Sequence, residues 1–233
     1  MRIYIDPGHG GKDPGAVKYV KERNVALKVA EYMQDYLIKN YDCETKVTTG
    51  TDATTARAIK ANEWGADLFV SIHFNAGGGD GYEALVYSEK NKNLGKVFEK
   101  HVMAIGQNSR GVKYRPELNV LRYTNMDAIL NEIAFVDNRK DIEDWNENHE
   151  LKKMGEALAK AAAEFLDLSF EEELYKVIAS SLNVRSGPGT SYEIKDKVKK
   201  GEVYTITEIS GSWGKLKSGA GWINVSEKYC KRM

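Results

Sequence analysis

The sequence predicts an α/β domain with a mainly parallel, twisted sheet flanked by helices, followed by a small all-β barrel. Three observations carry this. Over the first two thirds of the chain, short apolar runs alternate with amphipathic stretches at helical spacing, the pattern of a parallel sheet with crossover helices. From Tyr175 onward the texture changes to short strands separated by turn residues. At 233 residues the chain has room for both, since domains commonly run about 100 to 200 residues. The expected division is a first domain over 1–168, a connector over 169–174 and a second domain over 175–233.

Each element has its own signal. RIYI (2–5) reads as a buried strand, and the glycine-rich DPGHGGKDPGA (6–16) as the turn after it. Residues 23–38 place Val25, Val29, Met33 and Tyr36 at helical spacing. TKVTT (45–49) is an expected strand, 54–64 a helix, and DLFVSIHF (67–74) a second buried strand; GGGDG (77–81) is a loop. YEALVY (82–87) reads as a strand, 91–107 as a helix, and NVLRYT (119–124) and AILNEIAFV (128–136) as strands. The Ala- and Leu-rich stretch 149–166 is a strong terminal helix. DLSFEEEL (167–174) then runs out into an acidic connector.

Composition narrows the function classes. Apolar residues make up 42% and charged residues 29% of the chain, the balance of an ordinary folded protein. Lys plus Arg and Asp plus Glu number 34 each, so no net field gathers nucleic acid or an anionic membrane, and neither is expected as a partner. Cys43 and Cys230 lie far apart, without metal or disulfide spacing, and read as free thiols. No stretch approaches the roughly 18 consecutive apolar residues of a membrane span. The N-terminus enters a strand directly, with no export signal before it. The expectation is a protein made in the cytoplasm without a signal peptide and not inserted in a membrane.

Chemistry is expected at the carboxyl ends of the strands, where open α/β sheets bind ligands. His9 follows the first strand and His73 ends DLFVSIHF, whereas His101 and His149 lie in polar helical surroundings and read as surface residues. Taken singly, His9 is a turn histidine satisfied by backbone and His73 a buried histidine bonded to a neighbour. Together they fall at one sheet edge if their strands are neighbours, each followed by small or amide residues that leave space. Two histidines plus one glutamate is a recurring ligand set of catalytic zinc. Glu22, at the entrance to the first helix, is the candidate carboxylate; alone it reads as an acid facing the helix macrodipole.

Such a site also needs a proton acceptor that is not a ligand. Glu132 stands inside the apolar AILNEIAFVDN (128–138), where an ionised carboxylate is costly unless paired or at the open end of its strand. The competing reading turns Glu132 to solvent or pairs it with Arg57 or Arg139.

DPGHGGKDPGA, KERNVALKVA, RAIKANEWGADLFVSIHFNA and ILNEIAFVDN, in that order, resemble the four sequence blocks of the zinc-dependent N-acetylmuramoyl-L-alanine amidases that cut bacterial peptidoglycan. The resemblance covers nearly all of residues 1 to 167. It implies that His9, Glu22 and His73 bind zinc and that Glu132 is the catalytic glutamate. The implied reaction is hydrolysis of the amide between the lactyl group of N-acetylmuramic acid and the L-alanine that begins the stem peptide. GQNSRGVKYRPEL (106–118) is where substrate-facing variation is expected. Arg110, Tyr114 and Arg115 there read either as contacts to stem-peptide carboxylates or as solvated loop residues.

LNVRSGPGTSYEIKDKVKKGEVYTIT, with the later WGKL and GWINV, resembles the bacterial Src-homology-3-like modules that attach wall enzymes to peptidoglycan. Trp213, Trp222, Tyr192 and Tyr229 offer flat faces for recognition, or the tryptophans are simply core. The two resemblances together imply a cell-wall lytic enzyme with zinc as cofactor and bacterial peptidoglycan as both substrate and anchor. A phage or prophage endolysin that reaches the wall after holin-type membrane opening is the expected role. A host autolysin, a sporulation amidase, a zinc peptidase cutting within the stem and a non-catalytic wall-binding protein are the alternatives.

Overall fold

The computed structural model describes residues 1–48 and 53–233, and the chain divides into two compact units, Met1–Leu168 and Ser169–Met233. In the first, β1 (Arg2–Pro7) leads through the glycine-rich turn to α1 (Glu22–Asn40), then β2 (Glu44–Val47), α2 (Thr54–Trp64) and β3 (Leu68–Asn75). β4 (Tyr82–Val86), α3 (Lys92–Ala104), β5 (Ser109–Tyr114), α4 (Asn119–Arg122), β6 (Asp127–Phe135), α5 (Arg139–Asp144) and α6 (Asn148–Phe165) complete it. Thr49, the end of the expected strand 45–49, lies outside the described residues.

The strand order is β2-β1-β3-β6-β4-β5. The first four strands are mutually parallel, as expected, whereas β4 runs antiparallel to β6 and carries β5 parallel to itself. The sheet is therefore mixed. The carboxyl ends of β1, β3 and β6 meet the amino ends of β4 and β5 along one edge.

Alternate side chains leave a strand on opposite faces, and here both faces are covered, which is why the strands read as unbroken apolar runs. Ile3, Ile5, Leu68, Val70, Ile72 and Ile129 face a core shared with Val29 and Met33 of α1, Phe98 of α3 and Leu158 of α6. Gly155 lets α6 approach α1 closely, because a Cβ there would lie 2.6 Å from Tyr32 Cβ and 2.8 Å from the Val29 carbonyl oxygen. Tyr4, Phe69, Leu85 and Leu130 face the other way, onto Ala61 of α2 and Val120 and Leu121 of α4. This second face has the smaller cover. Continued along the strands, the same alternation puts Asp6, Ser71, His73, Glu132 and Glu83 on it.

Three elements differ from expectation. NVLRYT (119–124) is not a strand: Asn119–Arg122 form the one-turn helix α4, with Val120 and Leu121 buried. Two adjacent apolar residues fix no period, so burial against α2 decides the conformation. SRGVKY, read as loop, is the strand β5; its Arg, Gly and Lys carry little strand preference, and pairing with β4 supplies it. The short helix α5 is capped by Asn138, whose side chain accepts from the Lys140 and Asp141 amides.

The second unit contains β7 (Glu173–Val177), β8 (Ser181–Arg185), β9 (Ile194–Lys199), β10 (Val203–Ser210), β11 (Trp213–Leu216), β12 (Trp222–Asn224) and β13 (Cys230–Arg232). They form one antiparallel sheet in the order β13-β7-β10-β11-β12-β8-β9. β7 starts at Glu173, inside the stretch read as a connector, and Phe170 already packs against this unit's core of Val177, Val184, Ile206, Leu216 and Ile223. Trp222 is buried and Tyr192 is exposed. Both cysteines are free thiols, and burial pushes the Cys230 thiol up to about 11. No described helix is long and apolar enough to cross a membrane.

Candidate metal centre

The turn after β1 holds His9 at a φ of 63°, a left-handed conformation uncommon outside glycine and costing of order 1–3 kcal/mol. A buried ion pair holds it there. Arg57 of α2 donates from Nη1 to Asp6 Oδ1 (2.8 Å) and to the Pro7 carbonyl (2.7 Å), and from Nη2 to the His9 carbonyl (2.5 Å). Asp6 also accepts from Thr48 Oγ1 (2.9 Å) and Ser71 Oγ (2.8 Å). Asp6→Ala would leave a buried guanidinium without this carboxylate and should cost about 3–5 kcal/mol of stability, read by chemical denaturation. A loss below about 1 kcal/mol, the level of a surface pair, would contradict this account.

Three elements then deliver three donors to one point. His9 comes from the turn, Glu22 from the first residue of α1 and His73 from the end of β3, and their ligand atoms all lie within 4.8 Å of one another. The imidazole rings meet edge to face with centroids 5.0 Å apart. Glu22 is buried. Its Oε2 accepts from the Ala16 amide (2.8 Å) and its Oε1 from the Phe74 amide (3.1 Å), with His73 Nδ1 at 2.9 Å and His9 Nε2 at 3.1 Å from the same Oε1. On the far side of the His9 ring, Nδ1 lies 2.8 Å from Asp13 Oδ2. Asp13 is fixed in turn by the Gly15 amide. A carboxylate only accepts, so Nδ1 carries the hydrogen and Nε2 is turned toward Glu22.

The electrostatics follow from this packing. The hydrogen bond to Glu22, with a second to Asp13, outweighs burial and holds the His9 imidazolium up to about 9. Burial works against ionised Glu22, but its bonds to His73 and His9 win and hold the carboxyl down to about 2.

Glycines make the space. A Cβ on Gly8 would lie 2.4 Å from His73 Cε1, and one on Gly15, whose φ is 67°, would lie 2.5 Å from Glu22 Oε2 and 2.6 Å from His9 Cδ2. A cleft of about 250 Å³ opens over His9 and His73, walled by Leu118, Asn119 and Val120. Two imidazoles and a carboxylate on one point, with an outer carboxylate orienting one ring, fit the donor set and outer partners of a zinc ion.

Glu132 lies one strand away, paired in register with His73 across β3 and β6. Its Oε2 is enclosed and, among the described residues, has no hydrogen-bond partner. Burial pushes its carboxyl up to about 7, His73 opposing and Glu22 and Glu83 reinforcing. The competing partners are engaged elsewhere: Arg57 with Asp6, Arg139 with Glu143. His101 pairs with Glu164 and His149 with Glu150, away from the cluster. Asp13, Arg57 and Asp6 were not legible as site residues. Asp13 had a local signal, four residues past His9 in the same turn, whereas Asp6 and Arg57 meet only through the sheet.

Residues 3–164 match the family model described as N-acetylmuramoyl-L-alanine amidase, and residues 180–229 that of a bacterial SH3 domain. An endolysin of Bacillus phage SPP1 is 35% identical over 180 residues, covering 71% of this chain and 66% of that protein. A sporulation-specific N-acetylmuramoyl-L-alanine amidase of Bacillus subtilis (strain 168) is 29% identical over 197 residues, covering 80% of this chain and 77% of the relative. Among solved structures, the N-acetylmuramoyl-L-alanine amidase from Clostridium difficile 630 superposes with a TM-score of 0.68 at 27% identity, over 71% of this chain and 96% of that one.

Proposed function

The chain belongs to the N-acetylmuramoyl-L-alanine amidase family, and from that premise we propose that it is a zinc-dependent peptidoglycan hydrolase. It cuts the amide between N-acetylmuramic acid and the L-alanine of the stem peptide. One observation carries the reading: three converging metal donors with an unpartnered carboxyl in register beside them. His9, Glu22 and His73 hold the zinc, which when bound supplies Lewis acidity to a carbonyl oxygen or a water.

The chain's own groups do the rest. Asp13 keeps the His9 proton on Nδ1, so that Nε2 is the donor. The Glu132 carboxyl takes a proton from the attacking water as its oxygen bonds the lactyl carbonyl carbon. The same carboxyl returns that proton to the alanine nitrogen as the C–N bond breaks. A carboxyl poised near neutrality serves both steps, first as base and then as acid.

The second unit, matching a bacterial SH3 domain, tethers the enzyme to the wall and raises its effective concentration on an insoluble substrate. The likeness to a phage endolysin favours a lytic role, in which the protein meets the wall once the membrane has been opened. The likeness to a sporulation-specific amidase, over more of the chain, favours a second role in host wall remodelling with the same chemistry. Digestion of purified walls with and without chelator tests the reaction. New L-alanine amino termini on intact glycan, lost on chelation and restored by zinc, are expected. New termini within the stem peptide would replace this reading with a peptidase.

A further inference from the structure

The edge that carries His73 and Glu132 continues past them into an ordered pair of cations. Glu83 of β4 pairs in register with Glu132 of β6, and β5 lies beyond β4. Opposite Glu83 the β5 strand holds one extra residue, since Tyr82 pairs with Ser109 but Ala84 with Val112. The bulge, with Gly111 at a φ of 90°, re-aims its side chains. Arg110 Nε donates to Glu83 Oε1 at 2.5 Å, and Lys113 Nζ donates to the same oxygen at 2.6 Å.

Two features set this cluster apart from simple neutralisation of Glu83, a buried carboxylate. One cation would balance it, and there are two, so the group carries a surplus positive charge. The Arg110 guanidinium is also positioned rather than loose. Its Nε is bonded to Glu83 and its face lies over the Phe135 ring, 5.2 Å from the centroid. Among the described residues no acceptor meets its two terminal amines, and its side chain remains 41% exposed. A guanidinium held at one end with its fork open suits a carboxylate.

We propose that Arg110, with Lys113 beside it, is a specificity subsite for a free carboxylate on the stem peptide. The proposal rests on the amidase reading above. Neighbouring strands lie about 4.8 Å apart, which sets Arg110 about 10 Å along the edge from Glu132. An extended peptide advances about 3.5 Å per residue. The second or third residue of the stem therefore reaches the guanidinium when the first amide lies at Glu132. Two carboxylates of peptidoglycan fall in that range: the α-carboxylate of a γ-linked second-position glutamate, and the side-chain carboxylate of a third-position diaminopimelate. Walls in which either is amidated, or in which lysine replaces diaminopimelate, lack that charge.

The test measures binding of muramoyl tripeptides, with the terminal α-carboxyl of residue three capped as its amide, to zinc-loaded Glu132→Ala protein by calorimetry, with Arg110 intact or changed to Gln or Lys. Four ligands separate the two sources: glutamate or its amide at position two, each with diaminopimelate or lysine at position three. Arg110→Gln should weaken binding about tenfold or more for ligands bearing the recognised carboxylate, and leave the matching amide or lysine ligand unchanged. Arg110→Lys should fall between, keeping charge without the fork, and serves in its place if the glutamine variant does not fold. Equal losses on all four ligands, or none, would overturn the subsite. Cleavage of the same ligands by the unmodified enzyme separates the two failures. Release of L-alanine termini without carboxylate dependence removes only this subsite, and no release removes the amidase reading and the subsite with it.

Discussion

Glu132→Ala should slow amide hydrolysis by between about 10²- and 10⁴-fold, the range for loss of a positioned general acid–base, while zinc content stays at the level of the unmodified protein. The separation of the two readouts follows from geometry. Glu132 belongs to a different strand from every donor of the cluster, and its Oε2 is bonded to none of them. Burial, which raises its carboxyl to about 7, gives it a proton affinity matched to exchange with water at neutral pH. Release of new amino termini from purified walls gives the rate, and metal analysis of the same preparation gives the zinc. A variant that loses its zinc would make Glu132 a ligand and overturn its role as proton carrier.

His73→Ala should lose both zinc and activity. The cluster has three donors, and a site left with two binds far more weakly. The loss should exceed the roughly 10- to 100-fold expected for Asp13→Ala, which removes only the outer partner of His9. Zinc uptake should also depend on pH in a definite sense. His9 holds its proton up to about 9, and zinc must displace it. Each unit of acidification below that value therefore weakens apparent affinity by about tenfold for this proton, and the dependence flattens above it. Glu22, ionised down to about 2, adds no slope in this range. Competition with a chromophoric chelator at several pH values reads the slope, and one proton released per zinc in weak buffer checks it. A flat profile between pH 6 and 9 would contradict the His9 assignment.

What was legible in the sequence was what repeats along it. The alternation that sends Ile3 and Ile5 to one core and Tyr4 to the other is visible as an apolar run bounded by glycine. His9 and His73 are visible because each ends such a run. Glu132 stood out because a carboxylate interrupts apolar neighbours. What stayed hidden depends on pairing between distant segments. The Asp6–Arg57 bond spans 51 positions, and no local spacing announces it. β5 has almost no intrinsic strand signal and exists because β4 offers an edge. α4 departs from the expected strand because two apolar neighbours suit a strand and a helical turn equally. The Glu83 cluster shares both difficulties, since it requires β4 to run against β6 and a bulge in β5.

The position of β1 has a consequence for synthesis. It is made before both of its neighbours, yet it lies inside the sheet between β2 and β3, and the Asp6–Ser71 bond closes a span of 65 residues. Contacts of such separation form late, after the chain entropy of the intervening loop has been overcome. A nascent chain that has emerged only as far as α1 carries His9 and Glu22 but lacks β3 to bring His73 to them. During translation the three donors therefore stay apart until β3 has emerged and packed against β1.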